Sequence, residues 1–560
     1  MTTEELSLNR RNFLKVSAGT VGAALMAGAL AGCSPQETEG AADGEGQLSS
    51  TQGSGVSPLD PSDRWYFDFS TLPPLEEATD ECDVVVVGSG FGGMACAISA
   101  ADLGLSVIQL EALSVAGGTS PHAEGTYCGG CDILSEAGFP LPEGYVEEHV
   151  EEKLVFSHYR ADRDCLNFAM EKGADVGNWM EEQGVPFAEV DVYDLLGRKR
   201  DLVTSMVYEP NAGSAIDTFE KRAQEKGVDF RLSTKAEHLY WDDGVVKGVY
   251  VTGPDGEYAI KAKAVMLACG GFSNNPEMMA LKTGFDASRI VFTGTPNTGT
   301  GEGLRMAYEA GAEQNGVTCP GFVWLCIDGV DPHCSGSIIA CNEMGLFVNQ
   351  DGKRFINEDI LFDPSIICNI VLAQPHAWSI VPQNEVDRHA VEPCFMGWGS
   401  YQAFGSVMED SQESIDSITS HDMPNARKVD TLEEAAEVIG CDAATLKATV
   451  ENYNAMCVAG EDTELGKQAM YMKELQTGPY YVFELYCNSP STLGGVRVNP
   501  KAEVIDQNFE PIPGLYSASI DNSGLNGDTN MNNPGGVNSS FAMSCGIFGA
   551  QAAADYIKTV

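Results

Sequence analysis

Basic residues are scarce in this 560-residue chain: 33 Lys and Arg stand against 81 Asp and Glu, a formal net charge of -48. Such a surface repels a phosphate backbone, which excludes generic nucleic-acid binding. It reads as a solvated acidic exterior, or as a docking face for a basic redox protein. No C-x-x-C-H occurs, so the chain carries no c-type haem of its own. The apolar stretch near the start, Val16 to Ala31, is too short for a comfortable spanning helix.

Glycine, by contrast, is plentiful at 61 residues, as expected where backbone packs against a bound group. The chain is organised around Cys82 to Glu111. Val84 to Val87 is a β-branched run of the kind found in a parallel strand buried on both faces. It enters Gly88-Ser89-Gly90-Phe91-Gly92-Gly93, a G-x-G-x-x-G turn, followed by a helix and a second apolar strand ending on Glu111. Gly88 makes the tight turn, Gly90 admits a pyrophosphate to the backbone, and Gly93 lets helix meet strand. Glu111 is placed to accept ribose hydroxyls. Strand, turn, helix, strand and terminal acid in register specify a dinucleotide site. Its phosphates sit at a positive helix end.

The N-terminus reads as targeting rather than fold. Asn9-Arg10-Arg11-Asn12-Phe13-Leu14-Lys15 is a twin-arginine signal, and Leu30-Ala31-Gly32-Cys33 resembles a bacterial lipobox with Cys33 lipidated. The expectation is an exported protein anchored to the outer face of the cytoplasmic membrane. The predicted segments are a signal (1–33), a flexible Gly/Ser/acid-rich tether (34–80), a first dinucleotide-binding part (81–316), a capping domain (317–485) and a second dinucleotide-binding part (486–560). Of 17 Cys, several fall in apolar runs as small buried hydrophobes. Cys128-Gly129-Gly130-Cys131 and the series Cys319, Cys326, Cys334, Cys341 match no standard cluster spacing. A [4Fe-4S] centre is therefore disfavoured, and no metal site is assigned.

Gly117-Gly118-Thr119-Ser120 is a second glycine turn at a helix entry, followed by His122 to Tyr127 along the same edge. Asp164 to Gly184 reads as one amphipathic helix with Trp179 and Met180 buried, and Ala215 to Gly227 as another. Hairpins are expected over Ala236 to Val251 (turn at Gly244) and at Asp255-Gly256. Lys261 to Phe272 is a third buried strand, and Thr431 caps helices over Leu432 to Met456.

The fingerprint, the GGTS turn, AKAVMLACGGFSNNPEMM (262–279), NTGTGEGLRMAYEAGA (297–312), GGVRVNPKAEVIDQNFEPIPGLYSAS (494–519) and NNPGGVNSSFAMSCGIFGAQAA (532–553) occur in one order. This series resembles the flavoproteins of the fumarate reductase and 3-ketosteroid dehydrogenase group. Signal and tether add a likeness in layout to the urocanate and cardiac glycoside reductases of anaerobic gut bacteria. The resemblance implies an α/β fold: a Rossmann-type FAD-binding domain, split in sequence, with an inserted α+β capping domain. It implies non-covalent FAD, since the slot that carries histidine in covalently flavinylated relatives is Thr119. Further cofactor contacts are expected from Ala236, Ala268, Gly270, Gly301, Asp521, Asn538 and Ser539, with the helix starting near Asn538 aimed at the flavin. Arg354 and Glu358, in the family's GxRFxNE signature, read as a structural pair holding the cap.

The chain departs from its relatives at the acceptor end. The family's proton-donating arginine slot is Phe362, its relay slots are Ile338 and Cys341, and its dicarboxylate clamps correspond to Ser491 and Asn533. None keeps a charged side chain, so a dicarboxylate would lie unpaired at a cost of roughly several kcal/mol. The tyrosines of ketosteroid dehydrogenases are absent from the Phe362 and Asn533 slots too. What remains suits a bulky neutral acceptor: an enone, unsaturated lactone or aryl-enoate. Tyr401 and Tyr127 are the candidate proton donors, while His122 and His333 read as surface or satisfied loop histidines. The expected activity is reduction of an activated C=C bond with electrons from a membrane cytochrome or quinol-linked donor. A ketosteroid-type dehydrogenase and a non-catalytic flavin carrier stand as alternatives.

Overall fold

A strand of valines has no polar face, so it is stable only where both faces are covered. In the computed structural model the first strand, β1 (Asp80–Val87), has Val84, Val85 and Val86 at most 1% exposed. The structure describes residues 77–190, 202–314, 316–343, 345–396, 405–420, 423–476, 478–531 and 533–560, and of Phe362 only the backbone. The predicted signal, the tether up to residue 76 and Tyr401 lie outside the described residues.

β1 is flanked in parallel by β2 (Val107–Leu110) and by Gly256–Leu267, with Val87 opposite both Leu110 and Leu267. The far C-terminal strand Pro511–Ser517 joins the same sheet in parallel, Leu515 opposite Val265. One sheet thus draws on both ends of the described chain. The predicted hairpins are present as Lys235–Asp242 with Val245–Gly253, and Val245–Gly253 with Gly256–Leu267. Helix α1 (Phe91–Asp102) packs on this sheet and against the long C-terminal helix α2 (Val537–Ile557).

A second, antiparallel sheet orders Leu346–Asn349, Ala377–Pro382, Tyr480–Glu484 and Ala426–Val429. Its strands alternate faces with period two. Phe347, Tyr481 and Phe483 pack into one apolar cluster, Leu346, Val348 and Val482 into another. The fold is therefore mixed α/β, with a largely parallel sheet and a separate antiparallel one.

Two helices differ from the sequence reading. The stretch 164–184 is two helices, Arg163–Glu171 and Gly173–Gln183, joined at Lys172. The second helix opens on a glycine that Tyr127 demands: a Cβ on Gly173 would lie 2.3 Å from the Tyr127 ring. The next helix begins at Ala212, because the Asn211 side chain accepts the Gly213 N–H and caps it there. Thr431 does cap Leu432–Ile439, in a reciprocal box with Glu434.

Candidate active site

Two helix N-termini meet one cavity. The first turn of α1 begins after Gly90 and that of α2 after Gly536; neither glycine brings a capping side chain, and at α1 Ser120 takes only the Phe91 N–H. Uncapped first-turn N–H groups in a partly buried cleft form an anion- or dipole-binding end. Gly88, Gly90, Phe91 and Gly92 line the cavity at α1. Gly88 has φ +107°, and a Cβ there would lie 2.2 Å from Ala268 O, so the turn accepts no side chain.

Glu111 lines the same end. Its Oε2 accepts the Ser89 N–H at 3.1 Å and the Ser89 hydroxyl at 2.5 Å, and its Oε1 accepts the Leu113 N–H at 2.9 Å, which fixes the carboxylate and leaves Oε1 a further lone pair. Gly118, Thr119 and Ser120 follow along the wall. Ser120 Oγ accepts the Phe91 N–H at 3.0 Å, and Thr119 Oγ1 lies 3.1 Å from Thr298 Oγ1. Ala236, Ala268 and Gly270 line the opposite side, and Asn538 and Ser539 line it at α2. The short strand β3 (Gly125–Tyr127) ties the second glycine turn to α2: Tyr127 N–H donates to Gly536 O at 3.1 Å, and Ser539 Oγ donates to Gly125 O at 3.1 Å.

Four expected cofactor contacts stand behind the wall instead of on it. Gly93 sits where α1 crosses β1, and its Cβ would lie 2.2 Å from Gly88 O. Gly117 donates its N–H to Ser89 Oγ at 2.9 Å. Gly301 caps the helix Glu302–Glu309, and its neighbours Thr300 and Glu302 line the cavity. Asp521 is buried behind Ser519 and Ile520, which do line it, and burial pushes its carboxyl up to about 7.

The acceptor end corrects the sequence reading further. Tyr127 is fully buried, its hydroxyl donating to Met170 O at 3.3 Å, and it does not line the cavity, so it cannot serve as proton donor. Burial also pushes its phenol well above the ordinary value. Phe362 closes the 3₁₀ turn Glu358–Phe362, and Pro364, two residues on, reaches the wall. Ser491 lines the cavity with its hydroxyl donated to Thr492 O at 2.9 Å. Asn533 is off the wall, where Asn530 stands. Asn530 Oδ1 accepts from Asn538 Nδ2 at 3.2 Å, and Asn538 Oδ1 from Asn526 at 2.7 Å, so linked amides run along this side.

His122 and His333, read from sequence as surface or satisfied loop histidines, both line the cavity. Burial holds both below the usual histidine value, His333 adding to the effect on His122 and Asp331 opposing it on His333. Sequence reasoning placed Glu124 in the stretch along this edge without giving it a role and passed over Trp324 and Asn488, which share the wall. Only for Glu124 was there a local signal: an acid between a helix-entry glycine turn and a buried strand. Among the described residues no group of three or more His, Cys, Asp or Glu is arranged to hold a metal ion.

A family profile described as the FAD binding domain matches residues 83–536. The chain belongs to this family. Its cofactor is FAD, and the glycine cradle and two uncapped helix ends fit that dinucleotide. The Gly88–Phe91 turn and Glu111 would hold its adenosine diphosphate half, and Thr119, Ser120 and the first turn of α2 its ring system. Similar proteins include the vinyl phenol reductase of Lactiplantibacillus plantarum, 31% identical over 85% of this chain and 97% of that protein. The digoxin reductase of Eggerthella lenta is 26% identical over 92% and 91%. In fold the chain resembles the open conformation of a flavocytochrome c3 fumarate reductase, with TM-score 0.63, 24% identity and coverage of 86% of this chain and 79% of the other. This FAD-binding-domain protein is an FAD-dependent oxidoreductase related to reductases of carbon–carbon double bonds.

Proposed function

We propose that the protein reduces the activated C=C bond of a bulky neutral acceptor. The observation that carries this is the absence of cationic clamps: among the described residues no arginine lines the cavity. Its one lysine there, Lys235, pairs with Glu237 and Glu302 beside Ala236. A dicarboxylate would find no counter-charge at the acceptor end, whereas an uncharged alkene loses little on leaving water. The relatives named for vinyl phenol and digoxin support a neutral acceptor of this kind.

When bound, the reduced flavin supplies a hydride to an electron-poor carbon. The chain's part is positional. Trp324, Val323 and Pro364 from 317–485, the segment we assign as the cap, give the acceptor an apolar wall. Asn488 lines the same cavity with its Oδ1 taken by the Thr293 hydroxyl, and its amide N–H groups suit a carbonyl or hydroxyl. The first turn of α2 presents a positive dipole end to charge that develops on the ring.

The test is anaerobic. Chemically reduced holoprotein is mixed with 4-vinylphenol, methyl cinnamate, an unsaturated lactone, a cyclic enone or fumarate, and return of the visible flavin band is followed. At least one neutral acceptor should re-oxidise the flavin about 100-fold faster than fumarate, as expected for loss of several kcal/mol of carboxylate pairing. Equal or faster turnover of fumarate would overturn the reading. Oxidation of saturated ketones without any reaction of alkenes would replace it with the dehydrogenase direction. We assign the electron supply to a basic cytochrome attracted by the acidic surface. Such a donor should replace the chemical reductant and work faster at low than at high ionic strength.

We also propose export and anchoring through the twin-arginine and Cys33 signals. Among the described residues no helix is long and apolar enough to cross a membrane. In the native host Cys33→Ala should move the protein from the membrane fraction to the soluble exported fraction. Unchanged membrane retention on fractionation would contradict the lipid anchor.

A further inference from the structure

Glu124 occupies the short link between the 3₁₀ turn Ser120–His122 and β3. Both flanks are fixed to the cofactor-binding helix ends: Ser120 Oγ accepts the Phe91 N–H at α1, and Ser539 at α2 holds Gly125 O. The side chain between them lines the cavity that also holds Trp324, Ser491 and Asn488. The side chain is half-buried, and among the described residues its carboxyl has no hydrogen-bond or ion-pair partner, which leaves it open to whatever fills the cavity.

We propose that Glu124 carries the proton that the acceptor's double bond takes up, the role that Tyr127 cannot fill. This rests on the reading of the cavity as an alkene-reducing site. Saturation of a C=C bond requires one hydride, supplied by the reduced flavin, and one proton. The new C–H bond at the second carbon forms as the O–H bond of Glu124 breaks, leaving a carboxylate and oxidised cofactor. The carboxylate regains its proton from water once product has left.

The surroundings favour the protonated form. Burial alone pushes the Glu124 carboxyl up to about 7. Among the described residues the other titratable groups lining the cavity are His122, His333, Glu111, Lys235, Glu302 and Cys269, whose thiol burial holds well above its ordinary value. The two histidines are held toward neutrality by burial, and Asp331 pairs with His333 at 3.2 Å. Lys235 is paired with Glu302, and Glu111 is held by Ser89 and Leu113. No fixed cation therefore holds Glu124 as a carboxylate, and a carboxylic acid that is neutral near pH 7 suits a general acid. Once ionised, the same group repels anionic acceptors.

The test compares wild-type, Glu124→Gln and Glu124→Asp holoproteins, each reduced anaerobically and re-oxidised by 4-vinylphenol or by ferricyanide, which takes electrons without protonating carbon. Glu124→Gln should slow re-oxidation by 4-vinylphenol by about 10²–10⁴-fold, with Glu124→Asp recovering part of the loss and ferricyanide rates changing by less than about threefold. The wild-type alkene rate should fall about tenfold per pH unit above about 7, where the proton is lost, and the Gln variant should be flat there. In the oxidised protein without acceptor, a pH-dependent shift of the visible flavin band with a midpoint near 7 should vanish in Glu124→Gln. An alkene-active Gln variant with an unchanged rate, or with the pH limb and spectral midpoint intact, overturns the donor role alone. Wild-type protein oxidised by ferricyanide but by no neutral alkene overturns the alkene reading and the donor role together.

Discussion

Gly92→Ala is expected to give a protein that purifies without its yellow cofactor. A Cβ at this position would lie 1.8 Å from Ala518 O and 3.0 Å from Ala542 O. Both are backbone atoms, one in the C-terminal return and one in α2, and neither can turn aside as a flexible side chain would. On the other side of the crossing, a Cβ on Gly546 would lie 2.4 Å from Gly92 O, so the helices touch backbone to backbone. Even one methyl must therefore drive α1 away from the C-terminal segment. The uncapped N–H groups at the start of α1 move with it. Displacement of about 1 Å at a positioning group commonly costs about 100-fold, and FAD affinity should fall by at least that factor. The flavin-to-protein absorbance ratio and a titration with added FAD provide the measurement, with circular dichroism as the check on folding. Gly104→Ala is the control: it imposes a side chain at φ +79° with no atom within 4 Å, and it should retain the cofactor. Full flavin occupancy in Gly92→Ala would mean that closure of the two ends does not control the cradle.

Arg354→Ala should destabilise the antiparallel-sheet region by about 3–5 kcal/mol, the usual result of stripping one partner from a buried ion pair. The guanidinium donates to Glu358 through Nε at 2.9 Å and Nη2 at 2.7 Å, and its Nη1 lies 2.8 Å from Asp462 Oδ2. Lys467 completes the group, 3.5 Å from Glu358, and all four side chains are at most 1% exposed. Two positive and two negative charges balance without water. Removal of Arg354 leaves two carboxylates facing one lysine. Arg354→Lys should recover only part of the loss, since an ammonium cannot make the two-pronged contact. Urea unfolding followed by near-ultraviolet circular dichroism measures the change, and a difference below about 1 kcal/mol would show that the cluster is not a structural tie. Acid should reproduce part of the effect. Burial opposes ionisation of Asp462, yet the N–H groups of Leu465, Lys467 and Glu464 and the Arg354 guanidinium hold its carboxyl at about 2. A carboxyl depressed in the folded state contributes stability above its unfolded value, and that contribution is lost as pH falls toward about 2.

The parts of this protein that were legible in sequence are those whose signal is local. The valine run of β1, the turn at Gly88 and the terminal acid Glu111 are contiguous, and short-range sterics and hydrogen bonding dictate their form. The same holds for the Thr431 cap and the hairpin turn at Gly244. The resemblance of separated motifs added FAD, which the FAD binding domain match over 83–536 supports. Where local reading failed, a distant contact had intervened. The helix expected over 164–184 is two helices, and the second opens at Gly173, where Tyr127, some forty-six residues earlier, leaves no room for a side chain. Tyr127 itself looked like a proton donor because it follows the flavin loop, yet alternation along β3 turns its ring into the core.

By itself, then, the sequence determined that a dinucleotide site exists and where its first strand and turn lie. These follow from residue type and spacing within a few turns of chain. Only the tertiary structure decided which side chains share the cavity wall, because Glu124, Trp324, His333 and Asn530 come from distant segments whose meeting depends on sheet order and helix crossing. Burial decided the rest: a carboxyl drawn from an exposed loop into an apolar cleft changes its proton affinity, and no sequence spacing records how much water a fold excludes.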